Sequence, residues 1–160
     1  MRERSQAAGV PITVSYSRHW APRVLLMERL VREGLIGTVR TVVGYCGGTV
    51  LSFASHTTDL ICQFAGYDPV DIMADGWVDA PGAEGYEPEP SLEHMTIQYR
   101  RGVQGMQIGR AGEHGTFYCD VFGTEGWARA GMYVEPCARN ADGQPIAQDI
   151  LGKVQDRRSP

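Results

Sequence analysis

Clustered cysteines are missing from this 160-residue chain: Cys46, Cys62, Cys119 and Cys137 are scattered, with no Cys-x-x-Cys pair. That excludes a dense disulfide framework and suits reduced, buried thiols. Long apolar runs are missing too. Nothing approaches the ~20 residues that cross a bilayer, and Met1-Arg-Glu-Arg-Ser-Gln-Ala-Ala-Gly9 lacks the apolar centre of a signal peptide. The expected location is cytoplasmic, with no membrane partner. An excess of positive charge is absent as well, the net charge being -4 and the pI about 5.5, so nucleic acid is not an expected partner. No His/Cys/Asp cluster supplies the three protein ligands that a catalytic zinc uses, so no metal site is expected. What remains, with 42% apolar and 21% charged residues, is one ordinary soluble domain without internal repeats.

Ser52 to Gly66 organises the rest, and its spacing predicts one amphipathic helix. Phe53, Thr57, Leu60, Ile61 and Phe64 fall on one side, and Ser52, His56, Asp59 and Gln63 recur along another. Gly66 is placed to end it. A histidine and a carboxylate one turn apart can share a hydrogen bond that fixes the imidazole tautomer, which is acid/base equipment near neutral pH. From the spacing alone, the same pair more often serves a purely structural hydrogen bond.

Before that stretch, Arg4 to Gly9 reads as the end of a helix, Pro11 to Tyr16 as a strand, Ala21 to Glu33 as an amphipathic helix capped by Gly34, and Thr38 to Val43 as a β-branched strand. Gly47-Gly48 then serves either a tight turn or the approach of a ligand to backbone amides. After Gly66 the period becomes two. Pro69–Val78, Leu92–Tyr99, Val103–Ile108, Thr116–Phe122 and Trp127–Val134 read as an antiparallel run of strands. One face of that sheet is apolar enough to receive the helices; the other is mixed and offers aromatic residues for an oligomer contact. Ala80 to Pro90 reads as an exposed loop whose acidity is solvation, and residues 137–160 as a frayed tail.

The segments Val14-Ser-Tyr-Ser-Arg-His-Trp-Ala-Pro22, Leu30-Val-Arg-Glu-Gly-Leu-Ile-Gly-Thr-Val39, His56-x-x-Asp59 on a helix ending in Gly66, Asp68-Pro69-Val70 and Val121-Phe-Gly-Thr-Glu-Gly-Trp127 carry a resemblance through their order and spacing. From about Val10 to about Arg129 the chain resembles the glucose-fructose oxidoreductase/inositol dehydrogenase (Gfo/Idh/MocA) family, whose members move hydride between NAD(P) and sugars or polyols. The likeness is to the second, carboxy-terminal part. It implies an α+β fold, a largely antiparallel sheet with helices packed on one face, like the dihydrodipicolinate-reductase carboxy-terminal domain, and no Rossmann domain. Residues 1–16 correspond to the last helix and strand of a Rossmann domain and 17–136 to the substrate and oligomerisation domain. By the same resemblance His56 exchanges the substrate hydroxyl proton, Asp59 and Arg18 contact the substrate, and Ser52 stands where many members have an aspartate.

The family's Glu-Lys-Pro motif and the Gly-x-Gly-x-x-Gly fingerprint do not occur; Gly109, Gly112 and Gly115 have the wrong spacing. No cofactor is therefore expected on this chain alone, NAD(P) being implied by the resemblance, and no turnover without a Rossmann half supplied by a separate chain. The expected partners are a small sugar or polyol and, through the sheet face, further copies of the chain. Two alternatives stand beside this: a non-catalytic dimerisation or interaction module that keeps the fold, and an inactive truncated product.

Overall fold

The β-branched run after Gly37 becomes the middle strand of a seven-stranded sheet in the computed structural model, which describes residues 2–46, 48–78, 88–109 and 117–153. In chain order the elements are α1 (Arg2–Ala8), a 3₁₀ turn (Ser17–Trp20), α2 (Pro22–Arg32), β1 (Val39–Tyr45), a π-helical turn (Val50–Ala54) and α3 (Ser55–Ala65). There follow β2 (Pro69–Trp77), β3 (Ser91–Tyr99), β4 (Gln104–Ile108), β5 (Tyr118–Gly123), β6 (Gly126–Gly131), β7 (Cys137–Asn140) and α4 (Gln148–Leu151). The strand order is β2-β3-β4-β1-β5-β6-β7. β1 and β4 are parallel, and every other neighbouring pair is antiparallel. The fold is α+β, as its period change at Gly66 implies.

Helices α2 and α3 share one face of this sheet. Val24, Met27, Leu30 and Val31 of α2 and Leu60 and Ile61 of α3 are buried against Val42, Ile97, Tyr99, Cys119, Val121, Ala128 and Ala130. Alternation along each strand puts the second residue set on the opposite face, as period two requires. What lets α3 lie so close is the absence of side chains beneath it. A Cβ on Gly44 would sit 2.5 Å from Thr57 Cγ2 and 2.8 Å from Ile61 Cδ1, and one on Gly105 would sit 2.8 Å from Ile61 Cγ2. Gly44→Val is accordingly expected to lower unfolding free energy by about 1–3 kcal/mol, measurable by urea denaturation, because overpacking must push α3 off the sheet.

Three local expectations change. Pro11 to Tyr16 forms no strand: Ile12 and Val14 are exposed, and no described segment lies beside them to pair with, so alternation alone made no sheet. The stretch 137–160 contains ordered elements. Cys137–Asn140 pairs with β6, Asn140 Oδ1 accepts the Asp142 and Gln144 amides, and Leu151 of α4 is buried. Four residues are too few to show a period, and the turn that follows ties them down. Finally, the central stretch is two helices of different pitch, because Val50–Ala54 is π-helical. Gly47, residues 79–87 of the acidic loop, Gly112, Gly115, the start of the strand expected from Thr116, and residues 154–160 lie outside the described residues. Among the described residues no helix is long and apolar enough to cross a membrane.

Candidate functional site around His56

The site is built where the 3₁₀ turn meets the start of α3. Pro22 opens α2, and the preceding Ser-Arg-His-Trp turn packs against α3, so that Arg18 and His19 both approach it. On α3, His56 and Asp59 lie one turn apart, but they do not bond each other. Asp59 Oδ2 is 2.9 Å from His19 Nδ1, a hydrogen bond made across 40 residues. Gln63, one further turn along, donates from Nε2 to Glu28 Oε2 at 2.8 Å and reaches the His19 carbonyl at 3.5 Å. The shared His56–Asp59 hydrogen bond suggested by their spacing is thus replaced by a His19–Asp59 one. Sequence spacing sees neighbours along a helix and misses a partner on another element.

His56 instead stands between two aromatic rings, Tyr16 at 5.5 Å and Phe117 at 5.8 Å between centroids, both edge-on. Its Nδ1 is enclosed without a hydrogen-bond partner among the described residues, while Nε2 is not enclosed and makes no hydrogen bond. Nε2 is therefore the nitrogen that can meet a ligand. Burial, and then the Arg18 charge, hold the imidazole pKa below its ordinary 6.5; Asp59 pulls the other way and loses. Arg18 stands over the same Phe117 ring, with Cζ 3.5 Å from the centroid. Phe117 itself has a positive φ of 24°, a strained setting for a bulky residue, at the point where its ring meets both Arg18 and His56.

Ser52 is placed elsewhere. Its Oγ donates to Glu89 Oε2 and its amide to Glu89 Oε1, each at 2.8 Å, and the Leu51 amide also donates to Oε1. Glu89, expected to be a solvated loop charge, caps the first turn of the helix. The wider π turn also breaks the four-residue register that put Ser52 on the His56 side. Where the pitch changes, the Ala54 carbonyl accepts from Gln107 Nε2 at 2.8 Å, and the single Thr58 hydroxyl proton is shared between Gln107 Oε1 at 2.7 Å and the Ala54 carbonyl at 3.1 Å. Gln107 is 1% exposed on the helix-facing side of β4, so it pins the junction from which His56 projects. A glutamine at an inward position of a strand was the available signal. Tyr16, His19, Glu89, Gln107 and Phe117 are the site residues that sequence reasoning missed.

The same capping decides how the implied dinucleotide fits. A helix amino terminus after β1 and Gly48 is the kind of place that takes a phosphate, but its amides at Leu51 and Ser52 are already held by the chain's own carboxylate. The residues at this helix terminus do not fit a dinucleotide phosphate, and Gly48, at φ +99°, has its carbonyl taken by the Leu92 amide. Among the described residues no group of three or more His, Cys, Asp or Glu side chains gathers to hold a metal.

The sequence matches no protein-family profile and no curated protein. Solved structures do match. The aldose-aldose oxidoreductase from Caulobacter crescentus, complexed with glycerol, superposes with a TM-score of 0.67 at 18% identity, covering 99% of this chain and 52% of that one. The fold is that of a Gfo/Idh/MocA carboxy-terminal domain. The WlbA dehydrogenase from Bordetella pertussis, in complex with NADH and UDP-GlcNAcA, gives a TM-score of 0.66 at 18% identity over 93% of this chain and 51% of that one. A super-repressor mutant of Gal80p from Saccharomyces cerevisiae gives 0.61 at 18% over 91% and 47%. The chain thus spans about half the length of the solved structures it matches.

Proposed function

We propose that this chain is the substrate-side domain of an NAD(P)-dependent oxidoreductase acting on a hydroxyl-bearing carbon of a small sugar or polyol. The observation that carries this reading is the setting of His56: an imidazole with an open Nε2, sharing the Phe117 ring with Arg18 while Asp59 is held by His19, an arrangement in which burial and Arg18 lower its pKa. Such a group accepts a hydroxyl proton without first having to lose one. This chain's part is confined to the alcohol: Nε2 takes the proton, Phe117 and Tyr16 fix the ring, and the hydride acceptor is held by a dinucleotide-binding domain elsewhere. Asp59 acts through His19 and keeps the 3₁₀ turn against α3, which places Arg18. The solved structures with NADH and a nucleotide sugar, or with glycerol, support the substrate class. Ser52, bound to Glu89, is a structural residue in this reading.

The sign of the pH effect follows. Because its pKa is lowered, His56 keeps its basic form below pH 6.5, and oxidation should fail only when the pH drops through that lowered value. NMR titration of the imidazole is expected to give a midpoint below 6.5, rising in Arg18→Met and falling further in Asp59→Asn. A wild-type midpoint at or above 6.5 contradicts the proposal.

The opposite sheet face supports a second reading, a module that associates with its own copies. Tyr45 and Tyr118 stack at 4.6 Å, Phe122 and Trp127 pack at 6.4 Å, and Met106 and Phe122 are each 39% exposed there. That apolar, aromatic composition suits an interface. Sedimentation equilibrium is expected to show a dimer that Phe122→Glu converts to monomer; a wild-type monomer at micromolar concentration removes this reading.

A further inference from the structure

Arg18 has an environment unlike that of the other half-buried arginines. Arg23 meets Glu135 Oε1 at 3.0 Å, and Arg129 holds Asp120 through two hydrogen bonds of 2.7 and 2.8 Å. Arg18 has no carboxylate among the described residues. Its Nε is enclosed and unpartnered, and Asp59 of α3 is already bonded to His19. A desolvated guanidinium without a counter-charge is costly, and folded proteins avoid one unless something completes it. Its effect is felt next door, since the charge that helps hold the His56 pKa down is Arg18's.

The geometry points to a carboxylate on the substrate as that missing partner, so that the site takes a sugar acid, aldonic or uronic, in preference to the neutral sugar. This rests on the reading of the His56 surroundings as a substrate site. With Cζ 3.5 Å over the Phe117 ring and Nε enclosed, the two terminal Nη groups are the donors left for a ligand. A planar carboxylate matches that edge with two parallel hydrogen bonds; a hydroxyl satisfies one. Arg18 and His56 stand against the same ring, so the acid group and the hydroxyl whose proton His56 accepts belong to one monosaccharide rather than to distant parts of a long ligand. The acid would also remove the unbalanced positive charge beside the imidazole.

The test is binding to the purified full chain at low salt, followed by calorimetry and by the NMR signals of His56 and Phe117. The probes are D-glucuronate, D-galacturonate and D-gluconate, each compared with D-glucose, D-galactose and D-glucitol, and inorganic phosphate. At least one acid is expected to bind roughly tenfold or more tightly than its neutral counterpart. Arg18→Met should erase that preference and Arg18→Lys should restore part of it, with thermal melts showing that both variants fold. Equal binding of acids and neutral sugars at His56 overturns the carboxylate inference while leaving the substrate site in place. Phosphate binding as well as the acids also overturns it, by showing a general anion site. No perturbation of His56 or Phe117 by any probe overturns the inference and the substrate site together.

Discussion

Replacing His56 with glutamine is expected to lower kcat for sugar or polyol oxidation by about 10²–10⁴, with KM little changed, once this domain is joined to a dinucleotide-binding domain that supplies NAD(P). Glutamine fills much of the space between Tyr16 and Phe117 but cannot take a proton, so binding survives and the proton-transfer step does not. The acid limb of the pH–rate profile should disappear with the imidazole. Asp59→Asn is the informative comparison. Because Asp59 bonds His19 and only pulls weakly on the His56 pKa, its loss should cost far less in kcat than the His56 change and should shift the acid limb to lower pH. A His56→Gln enzyme within threefold of wild type would exclude His56 from proton transfer.

Arg129→Met is expected to cost the fold about 3 kcal/mol, read as a lower urea midpoint at unchanged slope. Asp120 is 5% exposed in the middle of β5, and both its oxygens accept from Arg129, one from Nε and one from Nη2. The carboxylate pushes the guanidinium pKa further up, and the Tyr45 hydroxyl bonds to it as well. Removing the arginine leaves a buried negative charge with a single phenol to satisfy it. Asp120→Asn combined with Arg129→Met removes the charge along with its partner, and should recover a good part of the loss. The aromatic residues stacked around the pair, Tyr118 at 4.8 Å and Trp127 at 5.9 Å from the guanidinium, should lose their fixed geometry in the single variant.

The strands and α2 were legible because each has a clear period over several residues: Met95, Ile97 and Tyr99 do face the helices, and Pro22 and Gly34 do bracket α2. The same reasoning failed wherever the deciding contact lies across the fold. Glu89 sits in a loop that reads as solvent-facing, yet it ties down Leu51 and Ser52, 38 and 37 residues earlier in the chain. His19 and Asp59 are 40 apart. The π turn has no sequence signature of its own, and the carbonyl at its end, that of Ala54, is met by Gln107, 53 residues away. His56 stood out by its spacing from Asp59 as well as by the resemblance, Arg18 by the resemblance alone, and the structure brings them together on Phe117, a residue no spacing argument singles out.

The most direct measurement is NMR mapping of the purified chain with a panel of small sugars, sugar acids and polyols, following the His56 imidazole alongside the backbone amides. The expected result is a set of shifts centred on His56, Arg18 and Phe117, with a changed His56 titration midpoint in the bound form. Shifts confined to Tyr45, Tyr118, Phe122 and Trp127 on the opposite face, with His56 unmoved, would contradict the account.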